Sequence, residues 1–192
     1  MRIIFATGNA GKMREIREIM ADMDMEICSM KEAGISLDIE ENGTTFEENA
    51  QIKAKAVAAC TKDIVLADDS GLEVDYLNKE PGVYSARYAG EPCNDRKNLE
   101  LVLEKMEGIK DRTACFVCVL ALVTPSGELT ARGEVAGELK CAHQGEGGFG
   151  YDPIFYIPQY KCTFAQMMQE QKNQLSHRAI AARLLAGKCA RL

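Results

Sequence analysis

The sequence predicts an α/β protein with a mixed central sheet and flanking helices. In the first half of the chain, short apolar runs typical of buried strands alternate with segments of helical periodicity. In the second half, residues 114–123 and 128–139 are two strand-like runs separated by Pro125, Ser126 and Gly127, which predicts a hairpin. Crossover helices join parallel strands and tight hairpins join antiparallel ones, so both kinds of pairing are expected in one sheet.

The first 30 residues predict a strand, a helix and a second strand. Residues 3–6 are an apolar run, and residues 7–12 form a turn with two glycines after it. Apolar residues then recur with the spacing of an amphipathic helix, at Ile16, Ile19, Met20 and Met23. Residues 26–30 predict the second strand, and residues 38–42 are an acidic loop.

The next helix and strand have clear end signals. Thr45 and Glu48 have the spacing of a capping box, which predicts a helix from this point to about Cys60. Residues 64–67 predict a buried strand, and the acidic segment of residues 68–71 is expected to end it.

Two more helices are predicted in the second half of the chain. Asn94 is expected to cap a helix that stops at Gly108, with Leu99, Val102, Leu103 and Met106 on one face. A glycine-rich loop, residues 145–152, follows the hairpin. The last helix is predicted from near Ser176 to Gly187, with Ile180, Ala181, Leu184 and Leu185 facing inward.

Length and composition limit the class of protein. A chain of 192 residues with 46% hydrophobic and 27% charged residues predicts one globular domain over residues 1–192. The formal net charge of −6 argues against general attraction to DNA, RNA or an anionic membrane surface. We expect a cytoplasmic protein, since neither a signal peptide nor an apolar stretch of membrane-spanning length is evident.

The eight cysteines are interpreted as reduced thiols that fill the core. Cys115 and Cys118 are the one close pair, and they point to opposite faces of a predicted strand. With only two histidines in the chain, a zinc site is not expected.

Residues 7–12 are a candidate phosphate-binding turn. The two glycines allow backbone N–H groups to converge beside a helix N-terminus, and a lysine adds positive charge. The members of this turn are Thr7, Gly8, Asn9, Ala10, Gly11 and Lys12. The spacing differs from that of a P-loop, and an ordinary strand-to-helix turn remains the alternative.

Acidic residues in two segments are candidate ligands for Mg²⁺. Asp68 and Asp69 follow a predicted strand, where the sites of α/β proteins commonly lie. Glu40 and Glu41, in the acidic loop, could supply the other side of the ion. Taken singly, each acid could equally be a solvated loop residue.

Lys53 shares a helix face with three apolar residues, Phe46, Ala50 and Val57. A lysine on such a face either extends its ammonium group to solvent or pairs with an anion.

The glycine-rich loop and the start of the last helix offer groups that could bind a planar base. Phe149 could stack on the base and Asp152 could accept its N–H donors, although a tight turn with buried aromatic rings is an equal alternative. Ser176 is a plausible N-cap, and His177 and Arg178 beside it could donate to carbonyl or phosphate oxygens.

Together, these segments closely resemble the inosine triphosphate pyrophosphatase family, which hydrolyses noncanonical purine nucleoside triphosphates. Six motifs in family order carry the resemblance over nearly the whole chain. They are residues 7–12, residues 45–50 with Lys53, residues 67–72, residues 81–90, residues 148–155, and Lys172 with residues 176–178.

The resemblance implies hydrolysis of ITP, dITP and XTP to the monophosphate and pyrophosphate, with Mg²⁺ as cofactor. It also implies a homodimer and an elongated mixed sheet with a cleft between two lobes.

The family's residue roles can be transferred to the matching positions. Residues 7–12, Lys53 and Lys172 would hold the triphosphate, and Ser70 would touch the nucleotide. Glu40 and Asp69 would bind Mg²⁺, with Glu41 and Asp68 as close competitors, and Asp69 would be the general base. The base would be bound by Phe149, Gly150, Tyr151, Asp152, His177 and Arg178.

Two rival functions remain open from the sequence. A regulatory module could bind a triphosphate in the same site without turnover. A pyrimidine triphosphate pyrophosphatase of similar architecture is the second rival, but donors suited to purine O6, at His177 and Arg178, have no evident role on a pyrimidine.

Overall fold

The computed structural model describes residues 2–23 and 25–190 of the chain, and within them the secondary structure is a mixed set of strands and helices. The strands are β1 (Arg2–Ala6), β2 (Glu26–Ser29), β3 (Ile64–Val74), β4 (Thr113–Thr124), β5 (Gly127–Leu139), β6 (Phe155–Ile157) and β7 (Cys162–Thr163). The α-helices are α1 (Ala10–Ile19), α2 (Phe46–Ala58), α3 (Asp95–Lys105), α4 (Gln169–Leu175) and α5 (His177–Cys189).

The strands form one mixed sheet in the order β2-β1-β3-β4-β5-β6-β7. β1 pairs in parallel with β2 and with β3, whereas β6 pairs in antiparallel with β5 and with β7. The neighbours β4 and β5 are joined by only two residues, Pro125 and Ser126, a link that only antiparallel strands permit. The predicted mixed-sheet α/β fold is therefore confirmed.

The prediction that β3 ends before Asp68 is wrong, because the strand continues to Val74. Asp68 and Asp69 are buried inside the strand, where basic side chains pair with them and replace the water that a turn would have supplied. Gly71 is also a strand residue, and a Cβ atom on it would lie 2.3 Å from Ser85 Oγ.

The chain packs as two compact units. The first consists of the described residues of Met1–Asp69, Cys118–Gly133 and Ser176–Leu192, and the second of Ser70–Val117 and Glu134–Leu175. β3, β4 and β5 contribute residues to both units. The predicted single domain and the cleft between two lobes stay predictions.

Each unit has a hydrophobic core of its own. In the first unit, Phe5, Ile16, Leu120 and Leu185 connect β1, α1, β4 and α5. In the second unit, α3 packs its apolar face against a group of aromatic rings. The centroids in that group are 4.3 Å apart for Phe116 and Phe155 and 5.8 Å apart for Phe116 and Phe164.

The predicted helix caps are confirmed. The side chain of Thr45 accepts from the N–H group of Glu48 and completes the capping box of α2. Asn94 accepts from the N–H group of Lys97 at α3, and Ser176 accepts from the N–H group of Ala179 at α5. Each of these side chains satisfies a backbone donor that has no partner within the helix.

The predicted inward face of α5 is partly wrong. Leu184 is exposed, and Ile180 is only partly buried. The buried positions are His177 and Ala179 in the first turn, together with Arg178, Ala181, Ala182 and Leu185, which follow the helical repeat from Arg178 onward. The ion pairs of the Arg178 guanidinium place it on the inner face, and the apolar residues in phase with it are buried as a result.

Short elements were missed by the sequence analysis. β6, β7 and α4 have two to seven residues, too few for a hydrophobic period to repeat. Among the helices of residues 2–23 and 25–190, none has the length and apolar composition needed to cross a bilayer.

Gly133 allows β5 and the first turn of α5 to pack at close range. A Cβ atom at this position would lie 2.2 Å from the carbonyl oxygen of His177 and 2.4 Å from the backbone nitrogen of Ala181. Both neighbours are backbone atoms of a helix, so neither can move away on its own.

We expect Gly133→Ala to lower the free energy of unfolding by about 1–3 kcal/mol, the usual cost of overpacking. Gly187→Ala in α5 is the matched control, since a Cβ atom there meets no atom within 4 Å apart from its own stretch of helix backbone. That change should raise the free energy of unfolding by up to about 1 kcal/mol. Urea unfolding of both variants tests the pair, and equal stabilities would contradict the close approach.

Candidate active site

The turn between β1 and α1 has the local structure expected of the candidate phosphate-binding segment. Asn9 is the N-cap of α1, and its Oδ1 accepts from the N–H group of Lys12 at 3.0 Å. Thr7 Oγ1 accepts from the N–H group of Asn9 at 3.1 Å. Asn9 therefore uses its side-chain oxygen to start the helix, and Lys12 lies in the first turn.

A buried group of charged residues connects α1, β3 and α5 in the first unit. Lys12 Nζ lies 3.0 Å from Oδ1 of Asp68. The other oxygen, Oδ2, accepts hydrogen bonds from Arg178 Nε at 3.1 Å and from Arg178 Nη2 at 2.8 Å. Arg178 Nη1 also donates to Glu15 Oε2. Arg178 is 1% exposed, so this cluster of Lys12, Glu15, Asp68 and Arg178 is inside the protein.

The charge state of Asp68 is fixed by these neighbours. Burial by itself would raise the pKa of this carboxyl group, but Lys12, Arg178 and Lys53 outweigh burial and hold the pKa well below its usual range. Asp68 is consequently a permanent anion, with its negative charge already paired.

Lys53 forms a second ionic group in the same unit. Its Nζ donates to Glu41 Oε2 at 2.7 Å and to Asp69 Oδ1 at 3.0 Å. Of the two possibilities that the sequence left open, the structure has the ion pair. Burial lowers the pKa of Lys53, but Asp69, Asp68 and Glu41 raise it by more, so the lysine stays charged.

Asp69 differs from Asp68 in its environment. Burial is the largest effect and raises its pKa, against the lowering effect of Lys53 and Lys12. Its Oδ2 is buried and has no hydrogen-bond partner among residues 2–23 and 25–190. One carboxylate oxygen of Asp69 could therefore accept a contact from a further ligand.

The acidic loop is attached to α2 by three consecutive backbone N–H groups. That of Gly43 donates to Asn49 Oδ1 at 2.8 Å, and those of Thr44 and Thr45 donate to Glu48 Oε2 at 2.6 and 3.2 Å. Glu41 lies two residues before this anchor and reaches Lys53.

Of the two acids of the loop, Glu41 pairs with Lys53, which also pairs with Asp69, whereas Glu40 is exposed.

The second unit holds a separate group of candidate residues around the glycine-rich loop. Asp152 Oδ2 accepts from Lys172 Nζ at 2.5 Å and from the N–H group of Phe149 at 2.9 Å. Lys172 Nζ also lies 5.0 Å from the centroid of the Phe149 ring. Gly148 is required here, since a Cβ atom would lie 2.0 Å from Asp152 Oδ2.

Three other predicted residues have simpler surroundings. Tyr151 is buried, and its hydroxyl donates to the carbonyl oxygen of Ser85 at 2.7 Å, so it anchors the loop within the core. The N–H group of Gly150 donates to Asp95 Oδ2 at 3.0 Å. Ser70 is half-buried in β3, directly after Asp69.

The family of the protein follows from its similarity to known sequences. The sequence profile of the Ham1 family matches residues 3–188. The chain belongs to the Ham1 family. A relative from Clostridium perfringens, named dITP/XTP pyrophosphatase, is 50% identical over 189 residues, which cover 94% of this chain and 93% of the relative.

Solved structures of Ham1 proteins have the same fold. The Staphylococcus aureus Ham1 protein matches with a TM-score of 0.88 and 44% identity, covering 99% of this chain and 98% of that one. A Mycobacterium abscessus protein, titled nucleoside-triphosphatase / dITP/XTP pyrophosphatase, matches with a TM-score of 0.76 and 38% identity, covering 97% and 98%. The predicted family resemblance is confirmed.

The acidic residues of this Ham1-family chain fit a divalent cation that is shared with a phosphate ligand. The structure, as described for residues 2–23 and 25–190, has no group of three His, Cys, Asp or Glu side chains that could hold a metal alone. It does offer the unpartnered Oδ2 of Asp69 and the nearby Glu41. Mg²⁺ usually binds to one or two carboxylates and completes its shell with phosphate oxygens and water.

Two residues of the site were missed by the sequence analysis. Glu15 falls four positions before Ile19 on the apolar face of α1, so a buried acid could have been inferred from that phase. Asn49 offers no comparable sequence signal, because a buried amide and an exposed one look the same in a sequence. The contact between Asn49 and Gly43 depends on how the preceding loop folds back.

The buried ion pair between Glu15 and Arg178 is expected to contribute strongly to the free energy of unfolding. We expect Glu15→Gln to lower the free energy of unfolding by about 3–5 kcal/mol, because Arg178 would lose one charged partner in a place that water cannot reach. The matched control is Glu100→Gln, which breaks the exposed pair with Arg96 and should cost about 0.3–0.5 kcal/mol. Urea unfolding measures both, and a cost for Glu15→Gln as small as the control would contradict the buried pair.

Proposed function

We propose that this protein hydrolyses the noncanonical purine nucleoside triphosphates ITP, dITP and XTP to the nucleoside monophosphate and pyrophosphate. The names of the relatives, dITP/XTP pyrophosphatase, support this substrate class. The observation that carries the proposal is the ionic group of Lys53, Glu41 and Asp69, in which one buried carboxylate oxygen has no partner. Such a group provides a cation for phosphate together with a carboxylate that can orient water.

The triphosphate is assigned to the turn of residues 7–12 and to Lys53. Lys12 lies in the first turn of α1, where the helix dipole favours an anion. A nucleoside triphosphate carries roughly four negative charges, which fixed cations in a dry site stabilise strongly as charge develops in the transition state. In the nucleotide-free protein these lysines are paired with carboxylates, so phosphate oxygens would take over existing ion pairs.

The metal is proposed to be Mg²⁺, held by Asp69 and an acid of the loop, Glu40 or Glu41. When bound, it supplies positive charge to the phosphate oxygens. The contact of Glu41 with Lys53 favours Glu41, whereas the family resemblance favours Glu40.

Asp69 is the proposed general base. Its carboxylate would accept a proton from a water molecule as the water oxygen attacks the α-phosphorus. The bond from the α-phosphorus to the oxygen bridging to the β-phosphorus breaks, and pyrophosphate leaves with that electron pair. The family resemblance assigns this role to Asp69 rather than to Asp68, and Asp68 is already paired with Lys12 and Arg178.

On the family resemblance, the base is assigned to Phe149, by stacking, and to Asp152, His177 and Arg178, by hydrogen bonds at its edge. Arg178 is already paired with Asp68 and Glu15, so its role at the base rests on the resemblance alone. Inosine and xanthine present an acceptor at position 6, where adenine presents a donor, so donor side chains favour the former. The family resemblance assigns Lys172 to the triphosphate, and in this structure its ammonium group is paired with Asp152.

A homodimer is part of the proposal on the strength of the family resemblance alone, and the cytoplasmic location remains the expectation drawn from the sequence. Multi-angle light scattering of the purified chain tests the dimer directly.

Asp69 provides the test of the reaction. With Mg²⁺ present, we expect pyrophosphate release from ITP, dITP and XTP to exceed release from GTP, ATP and dTTP. Asp69→Asn should abolish release yet retain nucleotide binding, because the amide cannot accept the proton. Asp75→Asn, an exposed acid paired with Lys79, is the control and should leave turnover unchanged. Faster hydrolysis of ATP or dTTP, or tight binding without any release by the wild type, would overturn the proposal.

Phe149 provides the test of base recognition. Stacking on an aromatic ring contributes about 1–3 kcal/mol per base, so we expect Phe149→Ala to raise KM for ITP roughly 5- to 150-fold. Phe149→Trp keeps an aromatic face and should remain within a few-fold of the wild type. Steady-state kinetics would remove Phe149 from the base site if the two variants had the same KM.

A further inference from the structure

The ammonium group of Lys53 lies between the carboxylates of Glu41 and Asp69, in the position that a metal ion bound by both carboxylates would occupy. Its Nζ lies 2.7 Å from Glu41 Oε2 and 3.0 Å from Asp69 Oδ1, and its side chain is only 10% exposed. Of its neighbours on α2, Ala50, Ala54 and Val57 are completely buried, and Asn49 is the buried polar one. Because Asn49 Oδ1 already accepts from the N–H group of Gly43, the recorded partners of the ammonium group are the two carboxylates, which lie outside α2.

We infer that Lys53 acts as an internal cation that keeps Glu41 and Asp69 from binding a divalent metal until a triphosphate arrives. This inference rests on the proposed function, because it assigns the metal to the same carboxylates. It predicts an order of binding: the nucleotide-free protein binds the metal weakly, and the metal binds together with the nucleotide.

The balance of charge in the first unit supports this order. Three cations, Lys12, Lys53 and Arg178, are paired with four carboxylates in the buried ionic groups. A divalent ion that entered alone would meet nearly neutralised carboxylates and a lysine that repels it. A triphosphate changes this balance, since its oxygens give Lys53 new partners and release the carboxylates.

The geometry leads to the same conclusion. The Lys53 nitrogen lies 2.7–3.0 Å from the two carboxylate oxygens, whereas Mg²⁺ requires oxygens at about 2.1 Å. The two oxygens are therefore placed at distances that suit an ammonium group and that are too long for Mg²⁺. Asp69 Oδ2 is buried and has no hydrogen-bond partner in the described part of the chain. A single oxygen is a poor metal site, and no further cluster of acids is available among the described residues.

The alternative is that Lys53 is purely structural and neutralises a buried acid. The two roles predict opposite results when the charge is removed. A structural lysine, once removed, leaves disordered carboxylates and no gain in metal affinity. A lysine that competes with the metal, once removed, no longer opposes the ion with its positive charge beside Glu41 and Asp69, so metal affinity increases although turnover falls.

The experiment is a titration of the nucleotide-free protein with Mn²⁺, in which electron paramagnetic resonance measures the free ion. We expect Lys53→Met to bind Mn²⁺ about 10-fold more tightly than the wild type, or more, because a fixed positive charge beside two carboxylates is gone. Lys53→Arg keeps the charge and should bind as weakly as the wild type.

Lys55→Met is the matched control for net charge. Lys55 is on the same helix and pairs with Glu128 at the surface, so its removal changes the charge of the protein equally without touching Glu41 or Asp69. Its Mn²⁺ affinity should stay within about twofold of the wild type. A gain as large as that of Lys53→Met would mean that general charge is responsible and would overturn the inference.

Tight binding of Mn²⁺ by the nucleotide-free wild type would also overturn the inference, as would an unchanged affinity in Lys53→Met. Circular dichroism and thermal unfolding confirm that the variant is folded, and Lys53→Gln serves if the methionine variant is not. Failure of the proposed function has a different result, namely no pyrophosphate release from any triphosphate. The titration contains no nucleotide, so the two failures can be told apart.

Discussion

The buried ion pair between Asp68 and Arg178 is the constraint on which the first unit depends. It joins the middle of β3 to the first turn of α5, and Glu15 and Lys12 of α1 complete it from the other side. Bringing charges of both signs out of water costs several kcal/mol per ion, and only a full set of partners offsets that cost. These elements must therefore pack in one arrangement, because any shift would leave a charge unpaired.

This constraint explains features that have no local cause. β3 continues through Asp68 and Asp69 because both acids have buried partners, whereas two adjacent acids would ordinarily end a buried strand. α5 turns Arg178 inward, so Leu184 is exposed. The same arrangement holds the helix N-terminus, with His177, close against Gly133. Stability and the candidate catalytic residues thus share one set of contacts.

A good part of the fold and of the site could be predicted from local patterns. The capping box at Thr45 and the cap at Asn94 were correct because each depends on residues within one helical turn. Lys53 was recognised as unusual from the apolar face around it, but its partners could not be chosen, because Glu41 and Asp69 are 12 and 16 positions away. The contact between Asn49 and Gly43 was missed for a related reason, since it forms only after the acidic loop folds back.

The sequence by itself determined the order of the motifs, hence the family, and the helices and strands whose signals lie within a few neighbouring residues. The tertiary structure decided which charges neutralise each other and therefore which acids can be buried. Glu15 and Arg178 are 163 positions apart, and no local pattern links them. The physical reason is that an ion pair depends on distance in space and on exclusion of water, and both exist only after the chain has folded.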